Sequence, residues 1–438
     1  MRRALVIAAN PVAPYSRAIR IARTLADAGF EAEIAAKAQD GQPAEERDGD
    51  VVLRRWGDSG PWLQKLAKPT GRPSFGRRLI MKPYRVLARR SAWARRHPPP
   101  TMRDMRMKIW WPTQDRGYWH TLAQEAGPAD LYHAFGYRAL PIALDLAAAA
   151  KAKGRAGIVI YDSIDIALET NTFIGRHRFW TSIYKRRERT WAQLADAVLA
   201  TNEAVADDLP GRLGLRTRPL VLLNTPPRWT PPDPPPNLIR EALGLPASMR
   251  IVLYLGRLSP HRGLEEAAAA VAELEDAALV LVGFGALEAQ TRGLDADPRF
   301  AGRHFTLPAV HPDDVPAWAA SADVTLSALP SSSINQRMST PNKLWESFAG
   351  GTPIVVSRET IVMRQVVEQD NLGVAVDPAD PADIARGLRA ILDASPADRA
   401  ALRARCLEAA HSRYNWETTS VGYTALVHRL VPLQGGQA

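Results

Sequence analysis

Short apolar runs alternate with helical patterns through most of this sequence, and that alternation admits few folds. It calls for parallel sheets built from right-handed crossover units, so the class is α/β. In the first half the strand-like runs fall at Arg3 to Ala8, Glu31 to Ala36, Leu131 to Ala134, Ile158 to Asp162, Ala197 to Thr201 and Pro219 to Leu223. A helix from Arg17 to Ala28 stops at Gly29, a residue suited to the left-handed conformation that ends helices. Between Thr225 and Asn237 prolines crowd the chain, and with their amides missing both helix and inner strand are disfavoured. A second series then begins. Strands are expected at Ile251 to Leu255, Ala278 to Val282, His304 to Leu307, Val324 to Ala328 and Pro353 to Ser357. Helices are expected at Leu264 to Leu274, Asp313 to Ala322, Asn342 to Ala349 and Thr360 to Gln369, and the pattern continues to Val376 before two long terminal helical stretches.

At 438 residues the chain is too long for one ordinary core, so two domains are expected. The reading is an N-terminal Rossmann-like domain over 1–224 carrying a basic insertion near 54–117, a proline-rich linker at 225–237, and a C-terminal Rossmann-like domain over 238–414. A final helix, 415–434, is expected to return towards the first domain. Such an architecture sets a cleft at the carboxyl ends of the two sheets, where open α/β domains bind ligands. Hydrophobic residues at 46% and charged residues at 23% suit a folded globular protein. No run approaches the roughly 18 apolar residues that span a bilayer, the alanine-rich stretch near Leu144 being cut by Lys151 and Lys153. Met1 to Ala9 reads as a first buried strand and not as a signal peptide, since Pro11, Pro14 and Arg17 follow directly. With Cys406 alone there is no internal disulfide and no cysteine-built metal site, which agrees with a reducing cytoplasm.

Two segments carry chemistry. After Ile251 to Leu255 comes Gly256-Arg257-Leu258-Ser259-Pro260-His261-Arg262-Gly263. Gly256 lets the backbone turn closely, a helix begins at Gly263, and Arg257 with Arg262 can fork onto a diphosphate; two ordinary surface arginines are the bland alternative. Farther on, Ser339-Thr340-Pro341-Asn342-Lys343-Leu344-Trp345-Glu346 opens a helix. Its free amides, with Asn342 and Lys343, suit an anionic or hydroxyl-rich ligand. Glu346 can accept from a ribose diol, or simply favour the helix dipole.

These residues resemble glycosyltransferase family 4. The likeness rests on Gly256-Arg257-Leu258 followed by a basic residue and Gly263, on Val310-His311-Pro312, on Ser321-Ala322-Asp323-Val324, and on Pro341-Asn342-Lys343-x-x-Glu346 with Gly351-x-Pro353-Ile354-Val355-Val356-Ser357. Asn10-Pro11 with Ser16-Arg17, Asp130-Leu131-Tyr132-His133, Tyr161-Asp162-Ser163, Ala195-Asp196-Ala197 and Leu223-Asn224 extend it into the first half. The resemblance implies a two-Rossmann (GT-B-type) retaining transferase that takes a UDP- or GDP-sugar and needs neither metal nor cofactor. It implies Arg257, Arg262 and His133 at the reaction, and Gly256, Gly283, Thr340, Pro341, Asn342, Lys343 and Glu346 at the donor. His133 is expected at a strand end facing the cleft, while Ser16, Arg17, Asp162 and Asp165 are acceptor-side candidates. Three departures stand out. Met338 occupies the first position of the family's glutamate pair, Arg262 replaces the usual lysine, and Pro11 to Tyr15 replace a glycine-rich loop.

Net charge is +10, and from Arg54 to Lys108 the acidic residues are only Asp58 and Asp104. Tryptophans at 56, 62, 93, 110 and 111 are interleaved with the basic residues. Three readings stay open: a cytoplasmic-side anchor on an anionic membrane face near a lipid-linked acceptor, a site for an anionic glycan with nucleic acid less expected, or a solvated face with aromatics in the core. The leading function is transfer of a sugar to a glycan or lipid-linked acceptor in cell-surface polysaccharide or glycolipid synthesis. A nucleotide-sugar 2-epimerase and a non-catalytic polyanion- or membrane-binding protein of the same fold are the rivals.

Overall fold

The computed structural model describes residues 2–13, 16–57, 121–170, 178–300 and 302–432. They divide into two compact units. One holds the described residues up to Val198, Leu209–Arg218 and those from His428 on; the other holds Leu199–Asp208 and Pro219–Val427.

One sheet contains β1 (Arg2–Ala8), β2 (Phe30–Lys37), β3 (Glu45–Asp48), β4 (Val51–Trp56), β5 (Leu131–Phe135), β6 (Ile158–Ser163), β7 (Ala197–Ala200) and β8 (Leu220–Val221). Its order is β3-β4-β2-β1-β5-β6-β7-β8. β1 runs parallel to β2 and β5, β2 to β4, β5 to β6 and β7 to β8, while β3 pairs antiparallel with β4. Ala4 to Ala8 are all fully buried, as a parallel strand covered on both faces requires. The helix Ser16–Asp27 buries Ala18, Ile21, Ala22 and Leu25, one face at helical spacing, and Gly29 follows at φ +82°.

The other sheet contains β9 (Arg250–Arg257), β10 (Ala277–Phe284), β11 (His304–Leu307), β12 (Val324–Ser327), β13 (Ile354–Ser357) and β14 (Gly373–Val376). Its order is β11-β10-β9-β12-β13-β14 and the pairs are parallel. Val252 and Tyr254 of β9 pack with the helices Leu264–Ala272 and Pro381–Leu392. Ile251, Leu253 and Leu255 alternate to the other face. The sheet is thus covered twice, and its connections reverse direction between β9 and β12. In such sheets the crevice for a ligand opens at the carboxyl ends of the strands beside that reversal.

The structure corrects several expectations. Arg54, Arg55 and Trp56 do not open a basic insertion; they lie in β4 as part of the first sheet. Arg55 donates to the carbonyls of Pro11 and Pro43, and the Trp56 indole to Glu125 at 2.7 Å. From Asp58 on, the insertion, and with it the four other tryptophans, lies outside the described residues. The proline-rich stretch 225–237 belongs to the second unit, where Pro226 accepts from the Trp416 amide and Glu417 from the Arg228 amide, each at 2.8 Å. In place of one terminal helix there are two, Trp416–Thr419 and Val421–Leu430. Beyond them, in the first unit, the Val431 carbonyl accepts from Arg2 at 2.6 Å. Among the described residues no helix is long and apolar enough to cross a membrane.

Candidate donor site and its relatives

The carboxyl ends of β9 and β10 meet at two glycines. Gly256 and Gly283 are register partners, and a methyl group on Gly283 would lie 1.8 Å from the Gly256 carbonyl oxygen. Gly256 itself adopts φ +119°, and a methyl group there would touch the Lys343 side chain at 3.8 Å. The chain then turns through Leu258 to Gly263, with His261 at φ +64° and Gly263 at φ +70°. A side chain at Gly263 would collide with the Ala328 carbonyl at 2.1 Å, so the helix Leu264–Ala272 starts hard against the end of β12.

Lys343 comes from the helix Asn342–Ala349, whose first turn Pro341 leaves without a side-chain cap. Leu344, Trp345 and Phe348 anchor that helix in the core. A chain of hydroxyls, Thr325 to Ser347 at 2.8 Å and Ser347 to the Lys343 carbonyl at 2.5 Å, ties it to β12. Thr340 is buried and its hydroxyl accepts from Asn202 at 3.3 Å, while the same amide donates to the Met338 carbonyl at 2.8 Å. Asn342 pairs with Asn224.

The Lys343 ammonium is buried, has no hydrogen-bond partner among the described residues, and stands 3.5 Å from the centre of the Tyr254 ring. Burial, then the neighbouring Arg262, hold it well below the usual lysine range, with Glu346 pulling the other way. A cation so stripped of water gains strongly from any anion that reaches it. Arg257 is exposed at the end of β9, its guanidinium over the Phe284 ring at 5.7 Å. Gly256, Gly283, Arg262, Lys343 and Glu346 are therefore gathered at one strand end, and Arg257 follows directly in the chain. Sequence reasoning missed Tyr254, because an aromatic residue inside an apolar strand reads as core.

The first-unit candidates are arranged differently. Asp162, expected to meet acceptor hydroxyls or cap a helix, is wholly buried on β6 and accepts from Arg17 at 2.8 and 2.9 Å. Burial alone would raise its carboxyl, but Arg17 and His133 outweigh it and hold the group well below the usual carboxylate range. His133 sits within β5 and not at its end; its ring is fully buried, with Nε2 3.3 Å from the same carboxylate. Arg17, 3% exposed, is thus committed to an internal ion pair. Ser16 starts the first helix, and Asp165 is exposed after β6. No cluster of three or more metal-binding side chains occurs among the described residues.

Residues 237–413, which contain the whole second sheet, match the family model described as Glycosyl transferases group 1. In sequence the chain is 32% identical over 196 residues to D-inositol 3-phosphate glycosyltransferase of Acidothermus cellulolyticus, a match covering 42% of each protein. The chain therefore spans less than half the length of that relative. In fold it is similar to sucrose-phosphate synthase of Thermosynechococcus elongatus, with TM-score 0.68, 17% identity, and 98% and 99% of the two chains covered. It is also similar to the Anabaena HepE protein in complex with UDP, with TM-score 0.63, 16% identity, and 98% and 100% covered. At those identities the likeness concerns the fold. Residues 237–413 are thus similar in sequence to group 1 glycosyl transferases, and the chain has the two-unit α/β fold of GT-B glycosyltransferase structures.

Proposed function

We propose that this chain is a retaining glycosyltransferase of family 4 that moves a sugar from a UDP- or GDP-sugar to a hydroxyl of a glycan or lipid-linked acceptor. Cell-surface polysaccharide or glycolipid synthesis is the setting this chemistry fits. The observation that carries the reading is Lys343: a buried ammonium without a hydrogen-bond partner among the described residues, beside Arg262 and against Gly256 at the end of β9. A diphosphate supplies the charge that such a group lacks. The UDP held by the structurally similar HepE protein supports a nucleoside diphosphate as that anion.

In the proposed reaction the acceptor oxygen attacks the anomeric carbon from the face the diphosphate is leaving. The carbon–oxygen bond to the β-phosphate breaks, and the acceptor proton passes to the departing phosphate oxygen. Arg257, Arg262, Lys343 and the amides at Asn342 stabilise the charge that grows on the diphosphate, and Glu346 accepts from the ribose hydroxyls. The scheme calls for no metal. Incubation of the full chain with a panel of UDP- and GDP-sugars, followed by product analysis, tests it. Transfer, or slow release of free sugar and nucleoside diphosphate, is expected, and Arg262→Ala lowers kcat/KM by more than about tenfold. Conversion of the sugar nucleotide to its C2 epimer without acceptor would replace the proposal with an isomerase.

A further inference from the structure

Tyr254 touches the Lys343 ammonium and the Arg257 backbone, two parts of the anion site proposed for the second unit. It lies in β9 two residues before Gly256, with 2% of its surface exposed. Its ring centre is 3.5 Å from the Lys343 ammonium, and its hydroxyl donates to the Arg257 carbonyl at 2.9 Å. An ammonium over an aromatic face is held by the ring's quadrupole, the more so where water is excluded. The Lys343 ammonium has no hydrogen bond among the described residues, so the ring is the group that fixes where the end of its flexible stem sits. The hydroxyl acts at a different point. β9 ends at Arg257, Leu258 donates to the Phe284 carbonyl at 2.7 Å, and the guanidinium lies over the Phe284 ring. Fixing the Arg257 carbonyl from below therefore sets the backbone from which the arginine projects.

We propose that Tyr254 is the positioning residue of this anion site: its ring seats the Lys343 ammonium and its hydroxyl pins the strand end that carries Arg257. The inference rests on the glycosyltransferase reading above, and adds a residue that contacts no substrate. Arg262 and Glu346 are the charged groups that act on Lys343 from the neighbouring turn and from its own helix. The ring favours the charged form of Lys343, which an incoming diphosphate requires; above the diphosphate's own last protonation, at about pH 6, affinity therefore falls as pH rises past the lysine's titration. Taking the ring away moves that fall to lower pH.

The test is calorimetric titration of UDP and GDP into the full chain and its Tyr254→Phe and Tyr254→Leu variants across pH, with the Tm of each as a control on folding. Tyr254→Phe keeps the ring and is expected to weaken binding about threefold with the pH midpoint in place, whereas Tyr254→Leu weakens it about tenfold and lowers the midpoint. A loosened core would weaken binding evenly across pH. Should Tyr254→Leu not fold, Tyr254→Met carries the same expectation. The assignment is overturned if the ringless variant binds within about twofold of wild type, if Tyr254→Phe is as weak as it, or if the midpoint does not move. Wild-type protein that binds neither UDP nor GDP overturns the proposed function as well, which separates the two failures.

Discussion

Glu188 shows how a single burial changes the chemistry of a residue. It sits in the helix Arg178–Ala192 within Tyr184-Lys185-Arg186-Arg187-Glu188, a run that reads as a solvated face, yet it is 6% exposed. Its carboxyl accepts from the Tyr161 hydroxyl at 2.8 Å. Burial pushes it up to about 7, Glu169 adding to the effect, while Tyr161, Lys185 and Arg212 oppose. A carboxyl raised in the folded state holds its proton more tightly there than in the unfolded chain. Its contribution to stability is full below the unfolded value and is lost as pH rises through about 7. Between pH 6 and 8 the loss is about 1 kcal/mol, or roughly 2–4 °C in Tm. A pH series of melting curves should show that fall in wild type and not in Glu188→Gln. Tyr254 and Glu188 were illegible in the sequence for the same reason: what each does depends on which element covers it. Gly256, Arg262 and Lys343 were legible because their residue types announce an unusual backbone or a charge beside a turn.

Between elements, the Arg17–Asp162 pair joins the helix Ser16–Asp27 to β6, and His133 brings in β5. Both charges are within the core, so neither tolerates the loss of the other. Asp162→Asn leaves a buried guanidinium without its counter-charge and should cost about 3 kcal/mol in urea denaturation, whereas Arg17→Met with Asp162→Leu costs less than that single change. Were Asp162 instead a dispensable acceptor contact, the single variant would keep wild-type stability. Elements were readable where the pattern was strong. β1, β9 and β10 are nearly unbroken apolar runs, and the helix Asn342–Ala349 was bounded by Pro341 and Gly350. β3 and β4 were not anticipated: Glu45-Glu46-Arg47-Asp48 is an edge strand with charges on its surface, and in β4 the half-exposed Arg54 and the buried Arg55 form ion pairs with Glu33, Glu45 and Glu46. Charge patterning alone assigned those arginines to a basic insertion, since their carboxylate partners come from β2 and β3.

At the scale of the chain, the described residues form two sheets, and the proposed reaction draws its cations from one unit. The cations that would hold a diphosphate, Arg257, Arg262 and Lys343, all belong to the second unit, together with the proline-rich stretch and the helices that clasp it. Anion binding should therefore be a property of that unit's stability before any acceptor is known. A nucleoside diphosphate at a hundred times its Kd stabilises the folded form by about 2.7 kcal/mol, which for a unit of about 200 residues is roughly 5–10 °C. Scanning calorimetry of the full chain with UDP or GDP should show that shift in wild type. Asp162→Asn starts from a lower Tm but should gain as much, because its lesion lies outside the proposed anion site. Arg262→Ala keeps the apo Tm within about 2 °C, its side chain being on a half-buried turn, and loses most of the gain. An equal gain in Arg262→Ala would move the nucleotide away from the end of β9 and leave the buried charge of Lys343 without its proposed counterpart.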